Sequence, residues 1–206
     1  MLHQDLWDQN AKLVANCVDH PFVRGLGDGT LSKDAFRSYV AQDAFFLNAF
    51  AKAYALAIAK SETMEQARTL HGFIDGVLDE LGLHAGYAKT LDIDLRSVTP
   101  FPETLAYTEF LQSRAWHGAL GEILAAMAPC MTLYHHVGTL LLPNVHLNHP
   151  YKDWIESYSS PEFGQLCQSL EQMLDEVSTD TPAVRYAYQY AMQCEFDFFT
   201  APIERS

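Results

Sequence analysis

Residues 33–60 read KDAFRSYVAQDAFFLNAFAKAYALAIAK, and this stretch decides the fold class. Apolar side chains recur every three or four positions, which is the spacing that places residues on one face of an α-helix. Ser32 precedes the stretch and is a favourable N-cap residue. We therefore predict a long helix from about Lys33 to Lys60. Its buried stripe would consist of Phe36, Tyr39, Val40, Phe46, Leu47, Phe50 and Tyr54.

The helical spacing extends over most of the remaining chain. No segment alternates apolar and polar residues between hairpin turns, which is the pattern of a β-strand. The stretch HPFVRGLGDGTLS at 20–32 is rich in glycine, and its GLGDG run at 25–29 is interpreted as a turn. The sequence thus predicts an all-α protein with seven or eight helices in a single bundle-like domain over residues 1–206. The other helices are expected at about 3–18, 61–83 or beyond, 104–116, 118–142, 151–158, 161–177 and 181–199.

Composition limits the class of partner. The chain of 206 residues is 49% hydrophobic and 19% charged, as expected for a globular protein with a sizeable core. Its formal net charge of -13 argues against binding to nucleic acid, because such binding depends on Lys and Arg at phosphates. The same charge weakly favours a cationic small molecule.

Location can also be predicted from the sequence. No run of about 18 apolar residues occurs, so we expect no membrane span. The start MLHQDLWDQNAKL lacks the basic and apolar regions of a secretory signal. The four cysteines (Cys17, Cys130, Cys167 and Cys194) are far apart and form no CxxC pair. Free thiols in a reducing cytoplasm are therefore expected.

Two carboxylates fall on apolar helix faces. Asp43 lies in the middle of the stripe of residues 33–60, where a charge is costly unless it is paired. Either a neighbouring helix satisfies it structurally, or it belongs to a site; spacing alone leaves both open. Glu195 lies beside Phe198 and Phe199, at the edge of the core or within it. Tyr107 and Tyr158 are expected to be half-buried.

The stretch MAPCMTLYHHVG at 127–138 places a proline and a cysteine inside an apolar helix. Cys130 and Tyr134 are four residues apart and share a face. A free cysteine is often a small core residue, so Cys130 has a purely structural interpretation as well. Pro129 removes a helix hydrogen bond, and we expect it to bend the helix so that Cys130 is presented to a pocket.

A second polar pair, Glu80 and His84, can be interpreted either as a metal site or as a structural pair within one helix. Glu80 and His84 are at i,i+4, a spacing that can chelate a metal ion. A helical ion pair or hydrogen bond has the same spacing. If the pair binds a metal ion, the alternative function is that of a metal-dependent oxidase.

Several motifs together resemble the TenA family, the thiaminase II proteins. They are HPFVRGLGDGTLSKDAFRSYVAQDAFFL, PETLAYTEFL, APCMTLY, YKDWIESYSSPEF and CEFDFFTAP, and they occur in family order over nearly the whole chain. The resemblance implies a haem-oxygenase-like helical fold, a homotetramer, and no metal or organic cofactor. It also implies hydrolysis of 4-amino-5-aminomethyl-2-methylpyrimidine to the 5-hydroxymethyl pyrimidine in thiamine salvage, with thiamine as a poorer substrate. The metal-dependent oxidase would use this same scaffold, and a non-enzymatic regulator is the third class.

The resemblance also implies roles for individual residues. Cys130 lies where the family carries its nucleophile, and Glu195 where a carboxylate contacts the ring and assists proton transfer. Asp43 corresponds to the residue that holds the aminopyrimidine. Phe46 corresponds to a stacking aromatic, and the implied pocket tyrosines are Tyr107, Tyr134 and Tyr158.

Two positions depart from the family pattern. Ala44 stands where further aromatic residues are common after the Gln-Asp pair, and Phe199 where tryptophan is frequent. Either change could alter substrate preference. Because the chain has Cys130, it resembles the cysteine-bearing branch of the family, and a covalent mechanism through this cysteine is expected.

Overall fold

The computed structural model describes residues 1–205, which form ten α-helices and a short 3-10 turn at Leu142–Asn144. No strand occurs in this part of the chain, so the all-α prediction is confirmed. None of these helices is both long enough and apolar enough to cross a bilayer. The helices are α1 Leu2–Gln9, α2 Ala11–Val18, α3 Pro21–Asp28, α4 Lys33–Ala59, α5 Met64–Leu91, α6 Pro102–His117, α7 Leu120–Leu141, α8 Lys152–Tyr158, α9 Pro161–Val177 and α10 Pro182–Glu204.

The two longest helices begin at side-chain caps. The Ser32 hydroxyl accepts a hydrogen bond from the Ala35 amide at 3.1 Å, as the sequence predicts for the start of α4. At α5 the cap is Thr63, which forms a reciprocal capping box with Gln66. Such a box satisfies two amide groups that a helix start otherwise leaves without partners.

Two boundaries differ from the prediction. The expected single helix over 3–18 is interrupted at Asn10, whose side-chain amide donates to the Leu6 carbonyl at 2.8 Å. Asparagine competes in this way with the backbone hydrogen bonds that would continue a helix. The interpretation of 25–29 as a turn is also wrong, because Pro21–Asp28 is helical and within this run only Gly29, with a φ of 77°, makes the left-handed turn. These two breaks account for ten helices rather than seven or eight.

The predicted stripe of α4 lies in the hydrophobic core, and each of its seven residues is at most 5% exposed. The helix packs against α5 and α6, while α7 packs against α9 and α10. Helix α10 also contacts α4 and α6, so one continuous cluster of apolar side chains joins the two groups of helices. This core surrounds the polar residues described below.

A buried glutamine fixes the position of α6. The Gln42 side-chain oxygen accepts hydrogen bonds from the Phe101 amide at 2.8 Å and from the Thr104 hydroxyl at 2.7 Å. Its amide donates to the Thr99 carbonyl at 3.1 Å. The loop before α6 is thereby held against α4, which places Tyr107 one turn further along beside the core.

Helices α7 and α8 approach closely at a glycine. A Cβ atom at Gly138 would lie 2.8 Å from the carbonyl carbon of Tyr158, closer than such atoms can pack. On the same side, His135 Nδ1 lies 2.9 Å from the Tyr158 carbonyl oxygen. The end of α8 is therefore set directly against α7, and this contact fixes the position of Tyr158.

Candidate active site

Six helices contribute side chains to one buried polar cluster. We call it the carboxylate cluster and define it by Asp43 of α4, Glu80 of α5 and Glu195 of α10, with His84, Cys130 and their tyrosine partners. Asp43 and Glu195 are buried, at 4% and 1% exposure, whereas Glu80 is half-buried. Buried carboxylates require compensating partners, and each has a different set.

Asp43 is paired with His84. The Nε2 atom of His84 lies 2.7 Å from Asp43 Oδ2, and its Nδ1 atom lies 3.0 Å from the Glu80 carbonyl oxygen. Both ring nitrogens thus face acceptors, which favours the doubly protonated ring. Burial alone would lower the pKa of His84, but the charge and hydrogen bond of Asp43, together with Glu80, raise that pKa to about 9.

A chain of aromatic donors supports Asp43 from the other side. The Tyr39 hydroxyl donates to Asp43 Oδ2 at 3.1 Å, and the Trp154 indole nitrogen donates to the Tyr39 oxygen at 3.2 Å. The Tyr134 hydroxyl lies 3.5 Å from the Tyr39 hydroxyl. His84 of α5 is therefore the partner on a neighbouring helix that the structural interpretation of Asp43 requires. The same pair also lies within the candidate site.

Glu195 has two neutral donors. The Tyr107 hydroxyl donates to Glu195 Oε1 at 2.6 Å, and the Cys130 thiol donates to the same carboxyl group. Burial raises the pKa of Glu195 to about 8; the Asp43 charge adds to this effect, and the hydrogen bonds from Tyr107 and Cys130 oppose it. At neutral pH the carboxyl group accordingly holds a proton and can act as an acid.

Cys130 is surrounded by negative charge. Burial raises the pKa of its thiol well above the ordinary value, and the charges of Glu195, Glu80 and Asp43 raise it further. A preformed thiolate is therefore disfavoured. Of the two routes to a nucleophile, a lowered pKa or removal of the proton when substrate binds, only the second agrees with this environment.

Aromatic rings enclose the cluster. Phe46 packs against Tyr107 with ring centroids 4.8 Å apart, and Tyr134 packs edge-on against Tyr158 at 4.9 Å. Tyr107 and Tyr158 are 1% and 3% exposed, so the expectation that they are half-buried is wrong. Both hydroxyls point to carboxylates, and this compensation permits complete burial. Among the seven predicted site residues, direct contacts join Phe46, Tyr107, Glu195 and Cys130 in one group and Tyr134 with Tyr158 in another, and Tyr39 connects Asp43 to Tyr134.

The two departures from the family pattern lie in different places. Phe199 stacks on Phe22 with centroids 5.4 Å apart and packs against Tyr134 at 5.7 Å, so it contacts the cluster's aromatic wall. Ala44 instead lines a groove with Phe45 on the opposite side of α4. A change in substrate preference is therefore expected from Phe199 rather than from Ala44.

The sequence did not identify Glu80 and His84 as members of the same site as Asp43, Cys130 and Glu195. The Tyr158 hydroxyl donates to Glu80 Oε1 in a short hydrogen bond, while His84 points to Asp43. Burial and the Asp43 charge raise the pKa of Glu80 to about 7, against the Tyr158 hydrogen bond and the charge of His84. A histidine binds a metal through an unprotonated nitrogen, so this arrangement does not fit the metal chelate that was the alternative for this pair. Residues 1–205 contain no group of three or more His, Cys, Asp or Glu side chains placed to hold a metal ion.

A cavity of about 410 Å³ adjoins the cluster. Glu80 and Tyr158 line it, and so does Met131, the residue after Cys130. Its remaining wall is largely apolar and includes Phe163 and Val77. The volume is within the range of small-molecule sites. The cavity therefore offers a route to the cluster along the Glu80 side.

Comparison with known proteins identifies the family. The family model described as TENA/THI-4/PQQC matches residues 7–202, nearly the whole chain. The chain belongs to the TENA/THI-4/PQQC family. Among its curated relatives, the aminopyrimidine aminohydrolase of Halalkalibacterium halodurans is 38% identical to this chain over 165 residues. The match covers 77% of this chain and 73% of the relative.

Solved structures agree with this family and its fold. The structure of a TenA family transcription regulator from Silicibacter sp. TM1040 superimposes with a TM-score of 0.90 at 28% identity, covering 97% of this chain and 95% of the other. A domain of unknown function from Shewanella denitrificans, described as having a haem oxygenase-like fold, gives a TM-score of 0.78 at 14% identity over 98% and 91% of the two chains. The predicted haem-oxygenase-like fold is confirmed.

Proposed function

We propose that this protein is an aminopyrimidine aminohydrolase of the thiaminase II type. It hydrolyses 4-amino-5-aminomethyl-2-methylpyrimidine to the 5-hydroxymethyl pyrimidine and ammonia, and cleaves thiamine as a second, poorer substrate in thiamine salvage. The observation that carries the proposal is the contact between the Cys130 thiol and the protonated Glu195, in an aromatic enclosure that also contains Asp43. The relative from Halalkalibacterium halodurans carries the same activity in its name.

The mechanism assigns one role to each polar group. As substrate binds, the Cys130 thiol passes its proton to Glu195 while Glu195 gives its own proton to the ring, and the sulfur forms a bond to the ring carbon next to the nitrogen contacted by Glu195. Glu195 donates its proton to that nitrogen, which receives the electron pair displaced from the ring. Asp43 orients the ring amino group and accepts a proton from it as the leaving group departs.

The leaving group departs first, and the addition of water then reverses the same movement of electrons. The amino nitrogen supplies an electron pair that breaks the bond between the methylene carbon and its leaving group. Water adds to the resulting exocyclic methylene, Asp43 returns its proton to the amino nitrogen, and the surplus proton of the water is taken up by the released ammonia. The carbon–sulfur bond breaks, the ring nitrogen returns its proton to Glu195, and Glu195 returns the thiol proton to Cys130. Overall one water is consumed and one ammonia is released.

The aromatic residues bind and orient the pyrimidine in this proposal. Phe46 provides a stacking face, and Tyr107 holds Glu195 at the ring nitrogen through its 2.6 Å hydrogen bond. Tyr134 packs against Tyr158, and Tyr158 lines the cavity. These groups exclude water, which strengthens the electrostatic interactions of the carboxyl groups with the ring.

We further propose that the protein acts in the cytoplasm as a homotetramer. The family resemblance supports the tetramer, and the four free cysteines agree with a reducing compartment. Exposed apolar side chains such as Trp116, at 64% exposure, agree with further contacts between subunits. Sedimentation equilibrium tests the stoichiometry: a single species of four-fold chain mass is expected, and a monomer would contradict the assembly.

The function is tested by incubating the protein separately with the aminomethyl pyrimidine and with thiamine. We expect the hydroxymethyl pyrimidine from both, more rapidly from the first, and ammonia from the first in equal amount. Glu195→Gln should lower kcat by about 10²–10⁴-fold. Glu204→Gln, at an exposed glutamate of the same helix, is the matched control and should retain the wild-type rate. Absence of product from both substrates would overturn the proposed function.

A further inference from the structure

Glu80 differs from the other two carboxylates of the cluster in its position. Asp43 and Glu195 are buried, whereas Glu80 is half-buried and lines the 410 Å³ cavity. Met131, the residue after Cys130, lines the same cavity as Glu80. A substituent of a molecule bound at Cys130 therefore meets Glu80 where the cluster opens to the cavity.

Glu80 also differs in its partners. Asp43 has the protonated His84 at 2.7 Å, and Glu195 has two neutral donors. The Glu80 carboxyl group accepts one hydrogen bond, from the Tyr158 hydroxyl. Within residues 1–205, no side-chain nitrogen of Lys, Arg or His forms an ion pair with it. A half-buried carboxylate without a direct cation is suited to a cationic ligand group.

We propose that Glu80 binds the ammonium group of the 5-aminomethyl substituent and thereby selects the amine substrate. This inference rests on the proposed function, which places the reacting ring carbon at Cys130 and the 5-substituent next to it. A primary amine is protonated at neutral pH, so the substituent carries a charge and three N–H donors. Glu80 holds this group in its protonated form with the support of Tyr158.

The bound charge also serves the reaction. When the carbon–nitrogen bond breaks, its electron pair goes to nitrogen, so the –NH₃⁺ group departs as neutral ammonia. No proton moves to or from Glu80 in this step. The hydroxymethyl product is neutral and lacks the ammonium group, and it accordingly binds more weakly than the substrate.

The same contact distinguishes the two substrates. The thiazolium of thiamine is attached through a quaternary nitrogen, which carries a charge but no N–H donor. Glu80 attracts this ring without a hydrogen bond to the reacting nitrogen. A hydrogen bond between charged groups is the stronger interaction, so Glu80 favours the aminomethyl pyrimidine over thiamine.

Equilibrium binding to a protein that cannot turn over tests this role. Cys130→Ala is titrated by calorimetry at pH 7 with the aminomethyl pyrimidine and, separately, with the neutral hydroxymethyl pyrimidine. Adding Glu80→Gln should raise the Kd of the cationic ligand by about 10- to 100-fold, the usual effect of losing a hydrogen bond between charged groups. The Kd of the neutral ligand should change by less than about 3-fold. Glu162→Gln, at an exposed carboxylate of the same cavity wall, is the matched control and should change neither Kd by as much.

The outcomes separate the two proposals. Equal weakening of both ligands by Glu80→Gln would overturn the role of Glu80 and leave the proposed function intact. Failure of Cys130→Ala to bind either pyrimidine would overturn the function and this inference with it. If Glu80→Gln does not fold, the proposal is tested by the ratio of the two Kd values measured for the single variant Cys130→Ala. Tighter binding of the cation by 10-fold or more supports the proposal, and equal Kd values overturn it.

Discussion

The protonated state of Glu195 has a measurable effect on stability. Its carboxyl group is 1% exposed, and burial raises its pKa from 4.5 to about 8. Below pH 4.5 the folded and unfolded states both hold the proton. Between pH 4.5 and 8 only the folded state holds it, so the free energy of unfolding falls as pH rises. The interval of 3.5 pH units, at 1.36 kcal/mol each, gives a loss of about 5 kcal/mol.

The substitution Glu195→Gln isolates this contribution, because glutamine resembles the protonated acid and does not titrate. Urea unfolding is followed by far-UV circular dichroism at pH 5, 6, 7 and 8 and at one protein concentration. Glu80 and His84 also have raised pKa values in the folded state. Their titration lowers the stability of the wild type and of Glu195→Gln alike as pH rises over this range. The wild type should lose about 4 kcal/mol more than Glu195→Gln between pH 5 and 8.

A second variant checks the cause of the effect. The Tyr107 hydrogen bond lowers the pKa of Glu195 and so opposes burial. Tyr107→Phe removes it, and the loss of stability should therefore continue to a higher pH than in the wild type. Parallel stability curves for the wild type and Glu195→Gln from pH 5 to 8 would refute the argument, because Glu195 would then be ionised in the folded protein at neutral pH.

Two further predictions concern the pair of Asp43 with His84 and the close contact between α7 and α8. Asp43→Asn should lower the pKa of His84 from about 9, since burial then acts without the Asp43 charge and only Glu80 opposes it; an NMR titration that still gives a value near 9 would contradict the ion pair. Gly138→Ala should destabilise the fold by about 1–3 kcal/mol and reduce turnover, because its Cβ displaces Tyr158. Gly72→Ala, with open space at its Cβ, should raise stability by about 0.5–1 kcal/mol, and equal effects of the two changes in thermal unfolding would reject the argument.

Helical periodicity predicted the fold and part of the site because both depend on which face of a helix a residue occupies. The apolar stripe of α4 is buried as predicted, and the position of Asp43 within it identified a buried charge. The same filter placed Glu195 in or beside the core. The breaks at Asn10 and Gly29 depend on one side-chain hydrogen bond and one left-handed residue, which periodicity does not reveal.

The remaining part of the site depends on contacts between distant helices. The i,i+4 spacing of Glu80 and His84 is the same in a metal chelate and in a helical pair, so the spacing does not distinguish the two. Their real partners are Tyr158 of α8 and Asp43 of α4, which no local pattern connects to α5. Likewise Tyr158 and Tyr107 are fully buried because their hydroxyls find carboxylates across the core.

The central claim is that Cys130 is the nucleophile of a pyrimidine hydrolysis. Its most direct test is a single-turnover experiment with enzyme in excess over 4-amino-5-aminomethyl-2-methylpyrimidine, in which the hydroxymethyl pyrimidine is measured for the wild type and Cys130→Ala. Cys17→Ala, which removes another buried thiol, is the control for loss of core packing. We expect product from the wild type and Cys17→Ala and none from Cys130→Ala, with its helical circular dichroism unchanged. Product formation by Cys130→Ala at the wild-type rate would contradict the account.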